Sequence, residues 1–273
     1  MPELPEVETV CRSLRPHLLG RRILRVEVRQ PRLRVAVAPD LPTRLAGRTI
    51  TAIRRRAKYI MIDLDGDAVW LFHLGMSGKL ICTGKGTERK KHDHIVAALD
   101  GGGELRYHDP RRFGLSLAVS RAELKALPLL NRLGPDPMER RFNGAALYAA
   151  TRVSARRIRD LLLDQQVVAG LGNIYANEIL FRVGIRPTAR ARRLTRRQAA
   201  AIAAMTSKVL RAAIRWCGTS FSDYRDADDQ LGKFQNHLRV YDRDGERCRV
   251  CPKTIKRVVI GNRSAFYCPS CQP

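Results

Sequence analysis

The chain has 273 residues and carries 51 Lys plus Arg against 26 Asp plus Glu, a formal charge of +25. An excess of that size favours a polyanion (DNA, RNA or an anionic membrane surface), and arginine, which makes up most of it, adds bidentate contact with phosphate. There is no run of 18 apolar residues, which argues against a transmembrane helix. The acidic start Met1-Pro2-Glu3-Leu4-Pro5-Glu6 has no apolar signal core, so a cytoplasmic protein is expected.

Pro5 suits the first turn of a helix, and Val7, Val10, Cys11, Leu14 and Leu18 then recur at helical spacing until Gly20. From Ile23 the period changes. Short apolar runs at Ile23–Val28, Val35–Val37, Ile60–Leu64, Val69–Phe72, Ile95–Leu99, Leu105–Tyr107 and Leu115–Val119 read as strands broken by Pro31, Pro39, Pro42 and Asp65-Gly66-Asp67. The first 120 residues therefore predict a helix on an antiparallel β-sandwich or barrel. After Leu133-Gly134-Pro135-Asp136-Pro137 the pattern turns helical, with helices expected at about 143–150, 154–164, 173–181 and 195–216, the last opened by a Thr195/Gln198 capping box. From Ile179 to Ser222 there are ten basic residues and no acidic one, which suggests a domain lying against phosphates. Residues 219–233 are polar and acidic. They read either as a solvent loop or as a lid over a pocket.

Gln165 to Glu178 contains Gly170-Leu171-Gly172-Asn173 between two helices. The glycines permit a tight turn, and Asn173 is expected to cap the next helix, leaving amides free for a phosphate. An ordinary helix–turn–helix corner fits the same residues. Cys248-x2-Cys251 and Cys268-x2-Cys271, sixteen residues apart, match a four-thiolate structural zinc site. The apolar residues between them predict a β-hairpin turning at Gly261-Asn262-Arg263, hence a zinc ribbon with Arg263 at its tip. Cys11, Cys82 and Cys217 are left as free thiols of a reducing compartment.

Pro2 follows Met1, and a small second residue favours removal of the methionine. The exposed secondary amine would add to an aldehyde-like carbon and give an iminium, an electron sink, with the carboxyl groups of Glu3 and Glu6 beside it for proton transfer.

Taken together, several stretches resemble the bacterial formamidopyrimidine-DNA glycosylase family. They are Pro2 to Thr9, Arg56-Ala57-Lys58-Tyr59, His73-Leu74-Gly75-Met76-Ser77-Gly78, His92-Asp93-His94, Asp109-Pro110-Arg111-Arg112-Phe113-Gly114, Gln165 to Glu178, Phe234-Gln235 with Val240-Tyr241, and the cysteine set. The matches run from end to end in the same order. The resemblance implies a multidomain α+β chain: a catalytic β-sandwich domain with an N-terminal helix at 2–132, a helix–two-turn–helix domain at 133–233 with a lesion-capping loop at about 217–232, and a zinc-ribbon module at 234–273. DNA would lie in the cleft between the halves. A monomer is expected, since two half-sites are not required. The substrate would be an oxidised purine such as 8-oxoguanine or a formamidopyrimidine, flipped out of damaged double-stranded DNA.

By the same resemblance, Pro2 attacks C1′, Glu3 transfers a proton as the sugar ring opens, Glu6 supports the network, and Lys58 contacts the lesion or its phosphate. Met76, Arg111 and Phe113 fill the space left by the flipped nucleotide; on their sequence pattern alone, Met76 and Phe113 read as core residues. His73, His92, Asn173, Tyr241 and Arg263 fall at DNA-binding positions, and one structural zinc is the only cofactor. The chain departs from the family at Cys217-Gly218, where two glycines are usual, and at Phe221-Ser222, where Leu-Arg is usual. A superfamily member preferring oxidised pyrimidines, a non-catalytic DNA binder and an RNA-binding zinc-ribbon protein are the competing readings.

Overall fold

The computed structural model describes residues 2–220 and 224–273, so Phe221, Ser222 and Asp223, including the departure at Phe221-Ser222, lie outside the described residues, as does Met1. The chain forms two compact units, residues 1–131 with 216–233, and residues 132–215 with 234–273. The segment 216–233, expected from its sequence position to belong with the helical domain, thus groups with the first unit.

In the first unit α1 (Leu4–Leu18) turns its Val7, Val10, Cys11, Leu14 and Leu18 face into the core, and Gly20 ends the turn at φ +78°. Strands β1 (Ile23–Val28), β2 (Ile50–Arg56), β3 (Tyr59–Leu64), β4 (Ala68–His73), β5 (Lys79–Thr83), β6 (Asp93–Leu99), β7 (Glu104–His108) and β8 (Leu115–Ser120) follow, with α2 (Leu41–Leu45) between β1 and β2. They make two antiparallel four-stranded sheets, ordered β1-β6-β7-β5 and β2-β3-β4-β8. The sheets share a core around Trp70, Phe72, Ile60, Ile95 and Tyr107. Full burial of each such side chain contributes about 1.5–3 kcal/mol. Two short helices, α3 (Arg121–Ala126) and α4 (Pro128–Asn131), close this part.

The strand expected at Val35–Val37 is absent. The Val37 amide instead bonds back to the Pro31 carbonyl at 2.9 Å, and Val35 is exposed, so the prolines on either side dictate a loop. Conversely, β2 and β5 are not evident from the sequence pattern. A bulge in β2 turns Ile50 and Ile53 inward, a spacing of three that breaks the strand period, and β5 buries only Leu80.

The second unit contains α5 (Gly144–Arg152), α6 (Ile158–Leu163), α7 (Asn173–Arg182), α8 (Arg196–Arg215) and the hairpin β9 (Lys256–Ile260) and β10 (Arg263–Tyr267). The helix expected from 154 begins only at Ile158, because Arg157 pairs in an isolated bridge with Arg190. Thr195 and Gln198 do form the expected box: the Thr195 amide donates to Gln198 Oε1 at 2.9 Å, and the Gln198 amide to Thr195 Oγ1 at 3.2 Å.

Candidate active site and nucleic-acid interface

The N-terminus of α1 is built around Glu6. Pro2 is buried, as are Glu3 and Glu6, and Glu3 is the N-cap. The Glu3 amide donates to Glu6 Oε2 at 2.8 Å, one half of a reciprocal capping box. The other oxygen, Oε1, accepts the Thr219 amide at 2.8 Å, and the Tyr224 hydroxyl donates to the Glu6 carbonyl at 3.2 Å. Each carboxylate oxygen of Glu6 is therefore committed to a backbone amide. Glu6 positions the residue next to Pro2 and fastens segment 216–233 at the same time.

The described residues of that segment are tied to the first unit, with Tyr224, Asp226 and Ala227 buried and Asp228, Asp229 and Gln230 exposed. The Lys233 amide closes its base on the Trp216 carbonyl at 2.8 Å, the Ala227 amide donates to Ser13 Oγ at 3.0 Å, and His17 Nε2 lies 2.6 Å from Asp228 Oδ1. Tyr224 and Ala227 are buried in the sandwich core. Asp226 accepts the amides of Asp228 and Gln230, which makes its turn. Cys217 occupies a left-handed conformation at φ +57°, and Gly218 follows at φ +79°. A Cβ on Gly218 would sit 2.8 Å from Glu6 Oε1.

Lys58 is buried after the turn at Ala57, whose φ is +52°. Tyr59 and His73, paired across β3 and β4, hold their rings 5.0 Å apart. Burial first, and then the nearby Lys58 and Arg34 charges, push His73 down to about 4. Its Nδ1 accepts the Gly75 amide at 3.0 Å, so the ring is neutral near pH 7 and carries its proton on Nε2.

Met76, Arg111 and Phe113 stand on two loops seated against each other. A Cβ on Gly75 would lie within 2.6 Å of the Phe113 carbonyl and the Gly114 amide, so only glycine allows that approach. Asp109, fully buried, organises the second loop. It accepts Ser77 Oγ at 2.6 Å, the Tyr107 hydroxyl at 3.2 Å and the Gly114 amide at 2.9 Å, while Ser77 Oγ accepts the Arg111 amide at 3.2 Å. The result presents apolar side chains to solvent: Met76 is 41% and Phe113 46% exposed, with the Arg111 guanidinium 4.7 Å from the Phe113 ring centroid. The reading of Met76 and Phe113 as core residues is overturned by this exposure. His92 borders the same loop, its carbonyl accepting the Asp109 amide at 3.1 Å. Its ring is 5.9 Å from those of His94 and His108, at a cavity of about 370 Å³ shared with Arg29 and Arg112.

In the second unit Asn173 does not cap α7. Gly172 is the N-cap, and Asn173 is the first helical residue. Its side chain reaches the hairpin, donating from Nδ2 to the Ser264 carbonyl at 2.9 Å. Arg159, which sequence reasoning missed, is the hub of this region. It is 1% exposed, and it donates to Asn173 Oδ1 at 2.7 Å and to the carbonyls of Ile260 and Ser264 at 3.1 and 3.2 Å. It therefore grips the hairpin on both sides of the Gly261-Asn262 turn that presents Arg263. Burial lowers its affinity for a proton, offset by Asp160 and reinforced by the Arg263 charge. Glu178, also missed, accepts the amides of Arg239, Val240 and Tyr241 at 2.8 to 3.0 Å and so places Tyr241, whose ring meets Phe266 edge-on at 5.1 Å. Both residues look like ordinary helix residues in the sequence. The Arg and Glu within otherwise apolar helix faces are the signal that could have found them.

The ligand atoms of Cys248, Cys251, Cys268 and Cys271 all lie within 4.8 Å of one another. The sulfurs of Cys251 and Cys268 are 3.4 Å apart, and those of Cys271 and Cys251 3.6 Å. Tetrahedral zinc with sulfur at about 2.3 Å needs edges of about 3.8 Å, so the donor set suits a closed structural site. Arg243, Cys248 and Gln272 knit the surrounding turns, with Gln272 linking the Cys268 amide to the Ile185 carbonyl.

Three family models tile the chain: formamidopyrimidine-DNA glycosylase N-terminal domain over residues 1–116, the H2TH domain of the same enzymes over 133–225, and the zinc finger found in FPG and IleRS over 245–273. Over 272 residues, spanning 100% of both chains, the protein is 45% identical to formamidopyrimidine-DNA glycosylase of Hahella chejuensis and 46% to that of Thioalkalivibrio sulfidiphilus. The chain belongs to the formamidopyrimidine-DNA glycosylase family. Among solved structures, the MutM (Fpg) protein from Thermus thermophilus matches with TM-score 0.90 at 38% identity, over 99% of this chain and 98% of that one. Lactococcus lactis Fpg bound to DNA containing an abasic site matches at 0.92 and 34%, over 99% of each. The multidomain α+β architecture expected for such a glycosylase, with an N-terminal β-sheet domain, a helical region and a C-terminal metal-binding module, is the one observed. No helix of the described residues is long and apolar enough to cross a membrane.

Proposed function

We propose that Pro2 is the nucleophile of this bifunctional DNA glycosylase/AP lyase, a base-excision-repair enzyme acting on oxidised purines. The enzyme class follows from the family. The relatives solved with DNA carry an abasic site or a formamidopyrimidine nucleotide, and the same lesions in duplex DNA are the substrates assigned here. The observation that carries the assignment of residues is the N-terminal cluster: Pro2 buried beside Glu3, whose amide is held by Glu6 at 2.8 Å.

With Met1 removed, the free Pro2 nitrogen attacks C1′ of the flipped nucleotide. The C1′–N bond breaks, and its electron pair leaves with the base, which takes up a proton. The Pro2 nitrogen, cationic after attack, gives up its N–H proton, which balances the one the departing base takes up. Glu3 then donates a proton to the sugar ring oxygen as the ring opens, and the pair regained on nitrogen forms the iminium. Loss of a proton next to the iminium expels the 3′ phosphate, and a second elimination expels the 5′ phosphate. Lys58 and neutral His73 bind the lesion strand, with His73 donating from Nε2. Met76, Arg111 and Phe113 fill the vacated stack, Phe113 wedging it and Arg111 facing the unpaired cytosine. Asn173, Tyr241 and Arg263 hold backbone phosphates, and His92 contributes a further contact. The four cysteines hold one structural zinc, which stabilises the ribbon that carries Arg263.

Cleavage of matched duplexes carrying 8-oxoguanine opposite cytosine or thymine glycol tests the substrate class. Faster cleavage of 8-oxoguanine is expected. Preference for thymine glycol would place the chain on the pyrimidine side of the superfamily.

A further inference from the structure

The exposed face of α8 carries a row of basic residues that have no part in the excision chemistry proposed for Pro2. Arg197, Ala201, Ala204, Lys208, Arg211 and Arg215 follow one another at spacings of three and four, and all are exposed. They form one stripe, about 27 Å long at 1.5 Å per residue. Cations lie at both ends, and alanines leave its middle low. The opposite face, including Ile202, Thr206, Val209, Leu210 and Ala213, is buried, so the stripe is fixed by the packing of the helix.

Its charges are uncompensated. Among the described residues, Arg196, Arg197, Lys208, Arg211 and Arg215 enter no ion pair, whereas some arginines elsewhere do: Arg44 pairs with Asp40 and Glu123, and Arg89 with Glu27 and Glu104. Arg196 and Arg197 also stand in the first turn of α8, where the helix dipole favours acidic residues, so they cost helix stability. The box of Thr195 and Gln198 supports that end instead. Arg196 is held in place over the Tyr148 ring at 5.4 Å, with Arg152 at 5.8 Å from the same ring. A local rule broken without a local gain points to a ligand.

We propose that the outer face of α8 is a second DNA-binding surface, which engages the phosphate backbone of undamaged duplex DNA through Arg197, Lys208, Arg211 and Arg215. One DNA strand carries a charge every 3.4 Å along the axis, so the stripe spans about eight phosphates. Small side chains between the cations let a backbone approach closely without reading bases, which suits search along intact DNA. The inference rests on the chain being a DNA enzyme, but it concerns residues of the second unit, whereas Pro2 belongs to the first.

The test replaces Lys208, Arg211 and Arg215 together by glutamine, a good helix former, in the full zinc-loaded chain. A companion variant carries Arg211→Lys and Arg215→Lys. Binding to an undamaged duplex is measured against salt, and borohydride trapping on an 8-oxoguanine duplex is measured at saturating protein. In the glutamine variant, duplex binding should weaken at least tenfold at low salt. The slope of log affinity on log salt should fall by about 1 for each phosphate that is no longer neutralised. Trapping at saturation should be unchanged, and the lysine variant should bind like the native chain. Native affinity and slope in the glutamine variant would overturn the proposal, as would a loss confined to structured RNA. If the native chain traps no lesion DNA yet shows the α8-dependent salt slope, the catalytic assignment fails and the surface stands.

Discussion

The Glu6 carboxylate and the Thr219 amide meet at 2.8 Å across 213 residues of chain, while the other Glu6 oxygen holds the Glu3 amide at the same distance. One buried carboxylate thus ties the reactive end of the protein to segment 216–233. Glutamine at this position keeps the shape but has one acceptor oxygen for two amides. Glu6→Gln should therefore destabilise the protein by about 1–3 kcal/mol, the cost of an unmet buried amide, and slow single-turnover excision. Unfolding by denaturant and rapid-quench excision measure the two effects, and native values in both would remove Glu6 from the network.

The hinge beside Thr219 makes a second, opposed pair of predictions. Cys217 sits at φ +57° with a side chain, and Gly218 at φ +79° leaves no room for one next to Glu6. Gly218→Ala should cost at least about 1 kcal/mol from backbone strain, with added loss from the clash. Cys217→Gly should be close to neutral, relief of strain being offset by greater freedom of the unfolded chain. Equal effects of the two substitutions on the unfolding midpoint would contradict this geometry.

Arg159 gives a third. Lysine cannot span Asn173, Ile260 and Ser264 with a single nitrogen as the guanidinium does. Arg159→Lys should weaken binding of lesion duplex by about tenfold, or about 1.4 kcal/mol, and raise KM more than it lowers kcat, with zinc content unchanged. A loss of zinc, or a fall in kcat alone, would show that Arg159 does something other than fix the hairpin that presents Arg263.

The depressed His73 predicts a pH effect whose sign is fixed. The folded protein resists protonation until about pH 4, whereas the unfolded chain takes up the proton near 6.5, the ordinary histidine value. Stability contributed by the neutral ring is complete above about pH 6.5 and is lost as pH falls towards 4, by about 3 kcal/mol in all. His73→Gln should remove that part of the acid slope in denaturant titrations between pH 7 and 4. An unchanged slope would mean that His73 is solvated in the native state.

The parts of this molecule that could be read from sequence are those fixed by local chemistry. The α1 face, the capping box at Thr195 and the paired cysteines each follow from spacing over a few residues. What escaped depends on distant partners. The bulge in β2 hides a strand; Arg159 and Glu178 act through carbonyls and amides of the ribbon about 60–105 positions away. Segment 216–233 reads as polar loop, yet Tyr224 and Ala227 join the sandwich core because α1 offers them Ser13 and the Glu6 carbonyl. Met76 and Phe113 show the reverse failure. Apolar residues in short loops suggest a core, and only the seating of Gly75 against Phe113 reveals that they are pushed outward.

The claim that Pro2 supplies the attacking amine is tested most directly by borohydride trapping on an 8-oxoguanine:cytosine duplex. The comparison is between the processed protein and a form in which Met1 is retained, so that the Pro2 nitrogen is locked in a peptide bond. The processed protein should give a covalent protein–DNA adduct of one chain per lesion, and the Met1-retaining form should give essentially none while still binding the duplex. Full trapping by the Met1-retaining form would contradict the account.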